Sequence, residues 1–249
     1  MKNRATLSIV TATYNSEKTL TETLKSLSNQ VYKNIEHIVV DGLSKDKTLE
    51  ILKSKGLNNT QLISEIDNGI FDALNKGIQR STGDILGFLH SDDCLPSPNT
   101  LSKVVDTFNI TKCDAVYGDL EYVSDKNPNR IIRKWVSGEF TKNSISKGWM
   151  PPHPTFYMRK VYYEKLGGFD LQYNISSDYD ALLRYLLHED LKIVYIPEVL
   201  SRMKIGGNSN QIKNIIPKMK EDYNIMKSHN INAKRALLFK NLTKIKQFF

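Results

Sequence analysis

Over its first ninety residues the chain alternates short apolar runs with amphipathic stretches, and that alternation leaves few folds open. Residues 7–13 (LSIVTAT), 35–40 (IEHIVV), 61–66 and 84–89 (DILGFL) read as strands. Between them, residues 17–27 place Leu20, Leu24 and Leu27 on one face. Residues 47–55 form a second helix, and 70–79 align Ile70, Leu74 and Ile78 along a stripe. Strands joined by helical crossovers pair in parallel, and the helices must cover both faces of the sheet. The expected class is therefore α/β, with a mostly parallel central sheet flanked by helices. In such sheets ligands bind beyond the carboxyl ends of the strands, so the residues just after each strand are the candidates for function.

Beyond Asp119 the rhythm changes. Residues 120–124 and 130–136 are expected to form a hairpin turning at 125–129. Residues 138–154, rich in Gly, Ser and Pro, are expected to form a mobile loop over a cleft. Residues 161–166 and 178–187 read as helices, and 192–196 as a short strand. The remainder, 206–249, is helical in pattern. Met219, Tyr223 and Met226 share a stripe behind Pro217, and Leu238, Leu242, Ile245 and Phe249 recur at spacings of four, three and four.

Charge separates this tail from the rest. Residues 1–200 hold 24 Lys+Arg against 25 Asp+Glu, whereas residues 201–249 hold 11 against 2, so the net +8 lies in the last fifth. Lys234, Arg235, Lys240, Lys244 and Lys246 make 233–249 a basic amphipathic helix, a pattern that suits an anionic membrane surface. A nucleic-acid partner is not expected, because residues 1–200 are near neutral and carry no binding motif. No apolar run reaches the roughly 20 residues needed to span a bilayer, and no signal-peptide pattern precedes the first strand. Cys94 and Cys113 lack metal-type spacing and read as reduced, unpaired thiols of a cytoplasmic protein.

Four strand-end or helix-start positions carry candidate chemistry. Ser91-Asp92-Asp93 follows the fourth strand. Two adjacent acids there repel each other, and a hard cation such as magnesium or manganese relieves that repulsion; the alternative is a turn cap ahead of Pro96. Asp41 ends the second strand, placed either to accept hydrogen bonds from a nucleoside or to close the turn at Gly42. Thr11-Ala12-Thr13-Tyr14-Asn15 offers small residues and one aromatic ring after the first strand. Asp178, at the start of an amphipathic helix, is either a first-turn acid or a general base aimed into the cleft.

Together SIVTATYN at 8–15, VDGLSKDKT at 40–48, Ser91-Asp92-Asp93, Gly167-Gly168-Phe169-Asp170 and Ser177-Asp178-Tyr179-Asp180 with Arg184 resemble the family 2 glycosyltransferases, which have the Rossmann-like GT-A fold. The stretch EIDNGIFDALNKG at 65–77 is most similar to bacterial enzymes that build O-antigen and capsule repeat units. The resemblance covers about residues 6–205. It implies a domain with a nucleotide-sugar half at about 1–119 and an acceptor half at about 120–205, followed by the basic helical extension 206–249.

The resemblance also implies roles. Asp93 would bind a manganese or magnesium ion, and Ser91 and Asp92 would meet the ribose or donor sugar. Thr11, Ala12 and Tyr14 would line a uracil pocket with Asp41 near the base. Asp178 would be the general base, and His153 would touch the diphosphate or the acceptor. Two departures stand out. Gly42 replaces an acid that often contacts uracil, which brings in Asp67 as a substitute, and Ser177 replaces a Glu before the base.

The implied reaction is an inverting transfer from a nucleotide-sugar, with UDP as the nucleotide, to a saccharide on a polyprenyl diphosphate. Such an enzyme would lie peripherally on the inner face of a bacterial plasma membrane, held by its tail, with a homodimer as a further partner. A sugar nucleotidyltransferase would usually show a Gly-rich basic loop after the first strand, which 11–15 lacks. A non-catalytic sugar-binding module is opposed by the joint presence of Asp92, Asp93 and Asp178.

Overall fold

The computed structural model describes residues 5–125, 127–205 and 215–246, the last six by their backbone alone. Its first half follows the expected alternation: β1 (Leu7–Thr13), α1 (Leu20–Ser28), β2 (Ile35–Asp41), α2 (Thr48–Lys55), β3 (Thr60–Ser64), α3 (Ile70–Arg80) and β4 (Ile85–Phe88). β1 pairs in parallel with both β2 and β4, and β2 with β3. The side chains of β1 alternate as a doubly covered strand requires. Leu7 and Ile9 join one apolar cluster, and Val10 and Ala12 join the other.

The second half adds α4 (Thr100–Thr111), β5 (Ala115–Val123), β6 (Ile131–Trp135), α5 (Lys142–Ile145), a 3₁₀ turn at His153–Thr155, β7 (Tyr157–Arg159), α6 (Lys160–Leu166), α7 (Ser177–Leu186), β8 (Ile193–Lys204), α8 (Ile215–Ser228) and α9 (Ala233–Lys246). The strand order is β3-β2-β1-β4-β7-β5-β6, with β8 paired to β5. β7 runs antiparallel between β4 and β5, and β6 antiparallel to β5; the other pairings are parallel. This is the mostly parallel, helix-flanked sheet expected from the sequence. One face is packed by Leu101, Val104, Val105 and Phe108 of α4, the other by Ala73, Leu74 and Ile78 of α3 with Leu182 and Leu183 of α7.

Four expectations need correction. The short strand at 192–196 is β8, which runs on to Lys204. Pro197 has no N–H to give the ladder, and it falls where the β5–β8 register shifts, between the pairs Tyr117↔Tyr195 and Asp119↔Val199. Pro197 thus sits in an irregularity of a longer strand. The hairpin is present, but its first strand begins at Ala115, not at 120.

The segment 138–154 is not an open loop. Phe140 stacks on Trp149 with ring centroids 5.6 Å apart, Trp149 Nε1 donates to the Ser137 carbonyl at 2.9 Å, and Ile145 is buried. Its aromatic residues supply a local core that its Gly and Ser content conceals.

The tail packs back on the domain. Ile225, Met226, Ala233 and Ala236 join the main apolar cluster, and Lys240 is buried against Asp222 at 2.8 Å. Lys240 therefore is not one of the surface charges of the tail. Met219 and Tyr223 are exposed while Met226 is buried, so the expected stripe of α8 is divided between two faces. Leu242, Ile245, Phe248 and Phe249 lie outside the residues whose side chains are described.

Candidate active site

β1, β2 and β4 are parallel neighbours, with Thr13 in register with Asp41 and Val10 with Phe88. Their carboxyl ends therefore open on one edge of the sheet, and the loops that leave them are tied together there. The Asn15 N–H donates to Ser44 Oγ at 2.9 Å, and the Lys45 N–H to Asn15 Oδ1 at 2.9 Å. The hydroxyls of Ser16 and Ser91 bond at 2.9 Å, which joins the first loop to the acid-bearing loop after β4. Asn15 and Leu43 hold positive φ, 49° and 59°, a left-handed region that asparagine adopts readily and leucine rarely. The cross-loop bonds fix the place of Asn15.

Asp41 is fully buried. Its Oδ1 accepts from the Thr13 and Ser44 hydroxyls at 3.0 and 2.5 Å, and its Oδ2 from the Ser44 N–H and the Ser64 hydroxyl at 3.0 and 2.9 Å. That carboxylate organises three strand ends from within. Thr11 is likewise fully buried, its hydroxyl 3.2 Å from His37 Nε2, and Ala12 packs in the core. The exposed members of the expected nucleotide pocket are elsewhere. Tyr14 is 63% exposed. A Cβ built on Gly42 would lie 2.5 Å from Asp67 Oδ2 and 3.4 Å from the Tyr14 ring. The carboxylate of Asp67 thus fills the space that a side chain at 42 would take. Only glycine at 42 permits this close approach.

The turn after β4 carries Ser91, Asp92 and Asp93, closed by the Asp93 N–H donating to the His90 carbonyl at 3.0 Å. Asp93 is fully buried, and neither of its carboxylate oxygens has a hydrogen-bond partner. Burial, with the charge of Asp92 added, holds its acid well above the usual carboxylate range. An orphaned carboxylate of this kind suits a cation. Among the described residues no group of three His, Cys, Asp or Glu side chains is placed to hold an ion. Asp93 would then be the principal protein ligand, with phosphate oxygens and water completing the shell, as magnesium and manganese accept.

Asp178 stands in the first turn of α7, its Oδ1 accepting from the Tyr179 N–H at 2.9 Å. It shares neighbours with the acids of the β4 turn. Half-buried His90 feels the charges of both Asp92 and Asp178, and the Tyr122 hydroxyl those of Asp93 and Asp178.

His153 is packed among Phe88, Phe169 and His90, with centroids at 5.0, 5.2 and 5.7 Å. Burial, then His90, takes it down to about 3, so it is a neutral imidazole at physiological pH. Its Nε2 and His90 Nδ1 are buried without partners. His90, Tyr122 and Arg133, whose guanidinium lies 4.8 Å from the Tyr122 ring centre, were not singled out from sequence. For His90 the signal was present: it directly precedes Ser91-Asp92-Asp93 at the strand end. For Tyr122 and Arg133 only the hairpin pairing of β5 and β6 reveals it.

With this geometry in hand, the comparisons with known proteins are direct. Residues 8–170 match the model of glycosyl transferase family 2. The chain is 30% identical over 210 residues to a PGL/p-HBAD biosynthesis glycosyltransferase of Mycobacterium bovis, covering 82% of this chain and 79% of that one. It is 29% identical over 203 residues to an uncharacterized glycosyltransferase of Mycobacterium tuberculosis, covering 75% and 71%. Among solved structures, S. aureus TarS 1-349 in complex with UDP-GlcNAc matches with a TM-score of 0.71 at 19% identity, over 89% of this chain and 64% of that one. A mannosyltransferase from Pyrobaculum calidifontis, in complex with GDP-Man and Mn2+, matches with a TM-score of 0.64 at 18% identity, over 89% and 62%. This chain therefore spans less than two thirds of the length of those solved chains, and at such identities they bear on the fold alone.

Proposed function

This chain belongs to glycosyl transferase family 2, and on that premise we propose that it moves a sugar from a UDP-sugar to a lipid-linked saccharide with inversion at the anomeric carbon. The observation that carries the reading is Asp93, a fully buried carboxylate without a partner beside Asp92, whose charge the Tyr122 hydroxyl feels together with that of Asp178. A fold without use for a cation or a donor would not retain such a group, because its burial is costly.

In this reading Asp93 holds a manganese or magnesium ion, which when bound offsets charge on the departing diphosphate. Asp92 and Ser91 bind the ribose or donor sugar. Tyr14 packs against the base, and Asp67, in place of an acid at 42, accepts from it; Thr11, Ala12 and Asp41 shape the pocket from behind. Asp178 takes the proton of the acceptor hydroxyl as its oxygen attacks the anomeric carbon opposite the leaving group. Neutral His153 offers a hydrogen bond to the diphosphate or the acceptor without adding charge. The half before residue 119 serves the donor, and 120–205 the acceptor.

The test is a panel of UDP-, GDP- and dTDP-sugars with the purified protein, in manganese and in chelator, followed by calorimetry and nucleotide release. Metal-dependent binding and turnover of one UDP-sugar is the expected result. If no donor binds with metal present, the fold assignment stands and the activity does not. Asp67→Ala is expected to weaken UDP binding about tenfold, the loss of one hydrogen bond to a charged group. Unchanged affinity would move base recognition to another residue.

The acceptor side of the proposal places the protein on the inner face of a bacterial plasma membrane, through its tail. Ile215, Ile216, Met219 and Tyr223 on α8 and Leu238 on α9 are exposed, with Lys220, Lys227, Lys234 and Arg235 exposed on the same two helices. Apolar residues among lysines and arginines suit an anionic bilayer. Ile216→Asp with Met219→Asp is expected to abolish cosedimentation with vesicles containing phosphatidylglycerol. Equal sedimentation of the wild type with neutral vesicles would count against an electrostatic surface and for apolar contact alone.

A further inference from the structure

The tail 201–249 has only two acidic residues, Glu221 and Asp222, among 11 Lys+Arg. Both are turned onto the segment that presents Asp178. Glu221 reaches from α8 to three successive backbone N–H groups. Its Oε1 accepts from Asn174 at 3.1 Å, and its Oε2 from Ile175 at 3.0 Å and Ser176 at 2.8 Å. Consecutive N–H groups that converge on one anion form a nest, and hydrogen bonds to a charged acceptor are the stronger kind. Ser176 is fully buried, so water is a poor substitute at that N–H. The Ser176 carbonyl in turn accepts from the Tyr179 and Asp180 N–H groups at 2.9 and 3.1 Å, which starts the helix that carries Asp178.

The tail also grips the far side of Asp178. The Asp222 carboxylate pairs with Lys240 at 2.8 Å, and that ammonium lies 3.6 Å from the centre of the Tyr179 ring. His229 Nε2 is 3.0 Å from Asp180 Oδ1. Residues 174–176 and 179–180 are thus held from the tail, with Asp178 between them. This contact lies beyond residue 170, where the family match ends.

We propose that Glu221 is a positioning residue for Asp178: the carboxylate on α8 sets the 174–176 turn and so the place from which the base acts. This rests on Asp178 as the general base. A group near the reacting atoms that moves by about an ångström can cost on the order of 100-fold in rate. The basic tail is then part of the catalytic apparatus as well as a surface for the membrane.

The test uses the full chain, Glu221→Gln and Asp178→Asn, singly and combined. Hydrogen exchange is read at the amides of 174–176, UDP binding in manganese by calorimetry, and UDP release from UDP-GlcNAc with water as acceptor. Expected are protected amides in the wild type that exchange at least about tenfold faster in Glu221→Gln. UDP affinity stays within about twofold and turnover falls on the order of 10- to 100-fold. Because Glu221 acts through Asp178, Glu221→Gln adds no further loss in the Asp178→Asn background.

Amides already open in the wild type, or turnover unchanged once they open, would overturn the inference. Should Glu221→Gln fail to fold, or UDP-GlcNAc not be turned over, the wild-type exchange pattern decides. Wild-type turnover by Asp178→Asn would instead reject the base assignment itself, with the Glu221 clamp judged separately by exchange.

Discussion

Asp178→Asn is expected to leave a folded protein that binds metal and donor normally and transfers sugar about 10²- to 10⁴-fold more slowly, the usual contribution of a positioned general base. The substitution preserves shape, and the amide oxygen can still accept the Tyr179 N–H that Oδ1 accepts at 2.9 Å. What it removes is the capacity to take a proton. The loss should therefore fall on kcat, with the donor dissociation constant almost unchanged. Nucleotide release and product formation at saturating donor would measure the first, and calorimetry the second. A kcat within a few-fold of wild type would reject Asp178 as the base and turn attention to the other groups near it, His90 and Tyr122.

Asp93→Asn should produce opposite changes in function and stability. It is expected to abolish metal-dependent donor binding, because an amide is a poor substitute for a carboxylate toward magnesium or manganese. At the same time the metal-free protein should become more stable. In the folded wild type, burial and the neighbouring charge of Asp92 hold the Asp93 acid well above its ordinary value. Below about pH 4 both the folded and the unfolded chain carry that proton, and the group does not alter stability. As pH rises above the unfolded value, the unfolded chain releases the proton and the folded chain keeps it. Stability then falls by up to about 1.4 kcal/mol per pH unit until the folded value is reached.

Asparagine has no such dependence. Scanning calorimetry in chelator should thus show Asp93→Asn melting above the wild type at pH 7.5, with the difference closing toward pH 4. Manganese with UDP should raise the wild-type melting temperature and leave the variant unmoved. A variant that melts at or below the wild type at pH 7.5 would mean that Asp93 carries a structural partner in solution.

Much of the strand-end site in the first half of the chain was legible because it is local. A strand end, a small residue and an acid are adjacent in Val40-Asp41-Gly42 and in His90-Ser91-Asp92-Asp93, and period-two and period-3.6 patterns locate the strands that deliver them. What each acid does there was not legible. Asp41 and Asp93 both follow apolar strands and are both fully buried, yet one has four hydrogen-bond partners and the other has none. Half of the difference comes from Ser44 in the loop after Asp41, and half from Thr13 and Ser64, supplied by the two neighbouring strands. Segment 138–154 and β8 were misread for a related reason. Composition suggests a loop, and the apolar run of 192–196 stops at Ile196, whereas a Phe140–Trp149 stack and a register shift against β5 make each part of the packed structure.

The sequence by itself determined the α/β alternation, the parallel first half of the sheet, the acids at its strand ends and the confinement of the net positive charge to the tail. Each is a short-range property, set by side-chain periodicity or by counting along the chain. Only the tertiary structure decided that the Asp67 carboxylate fills the space a side chain at 42 would take, that Asp178 shares the neighbours His90 and Tyr122 with the acids of the β4 turn, and that Lys240 turns inward. It also decided that Glu221 takes up amides 45 to 47 residues before it. Such contacts carry no local signature, because they form only when the packing of helices on the sheet brings distant segments within hydrogen-bonding distance.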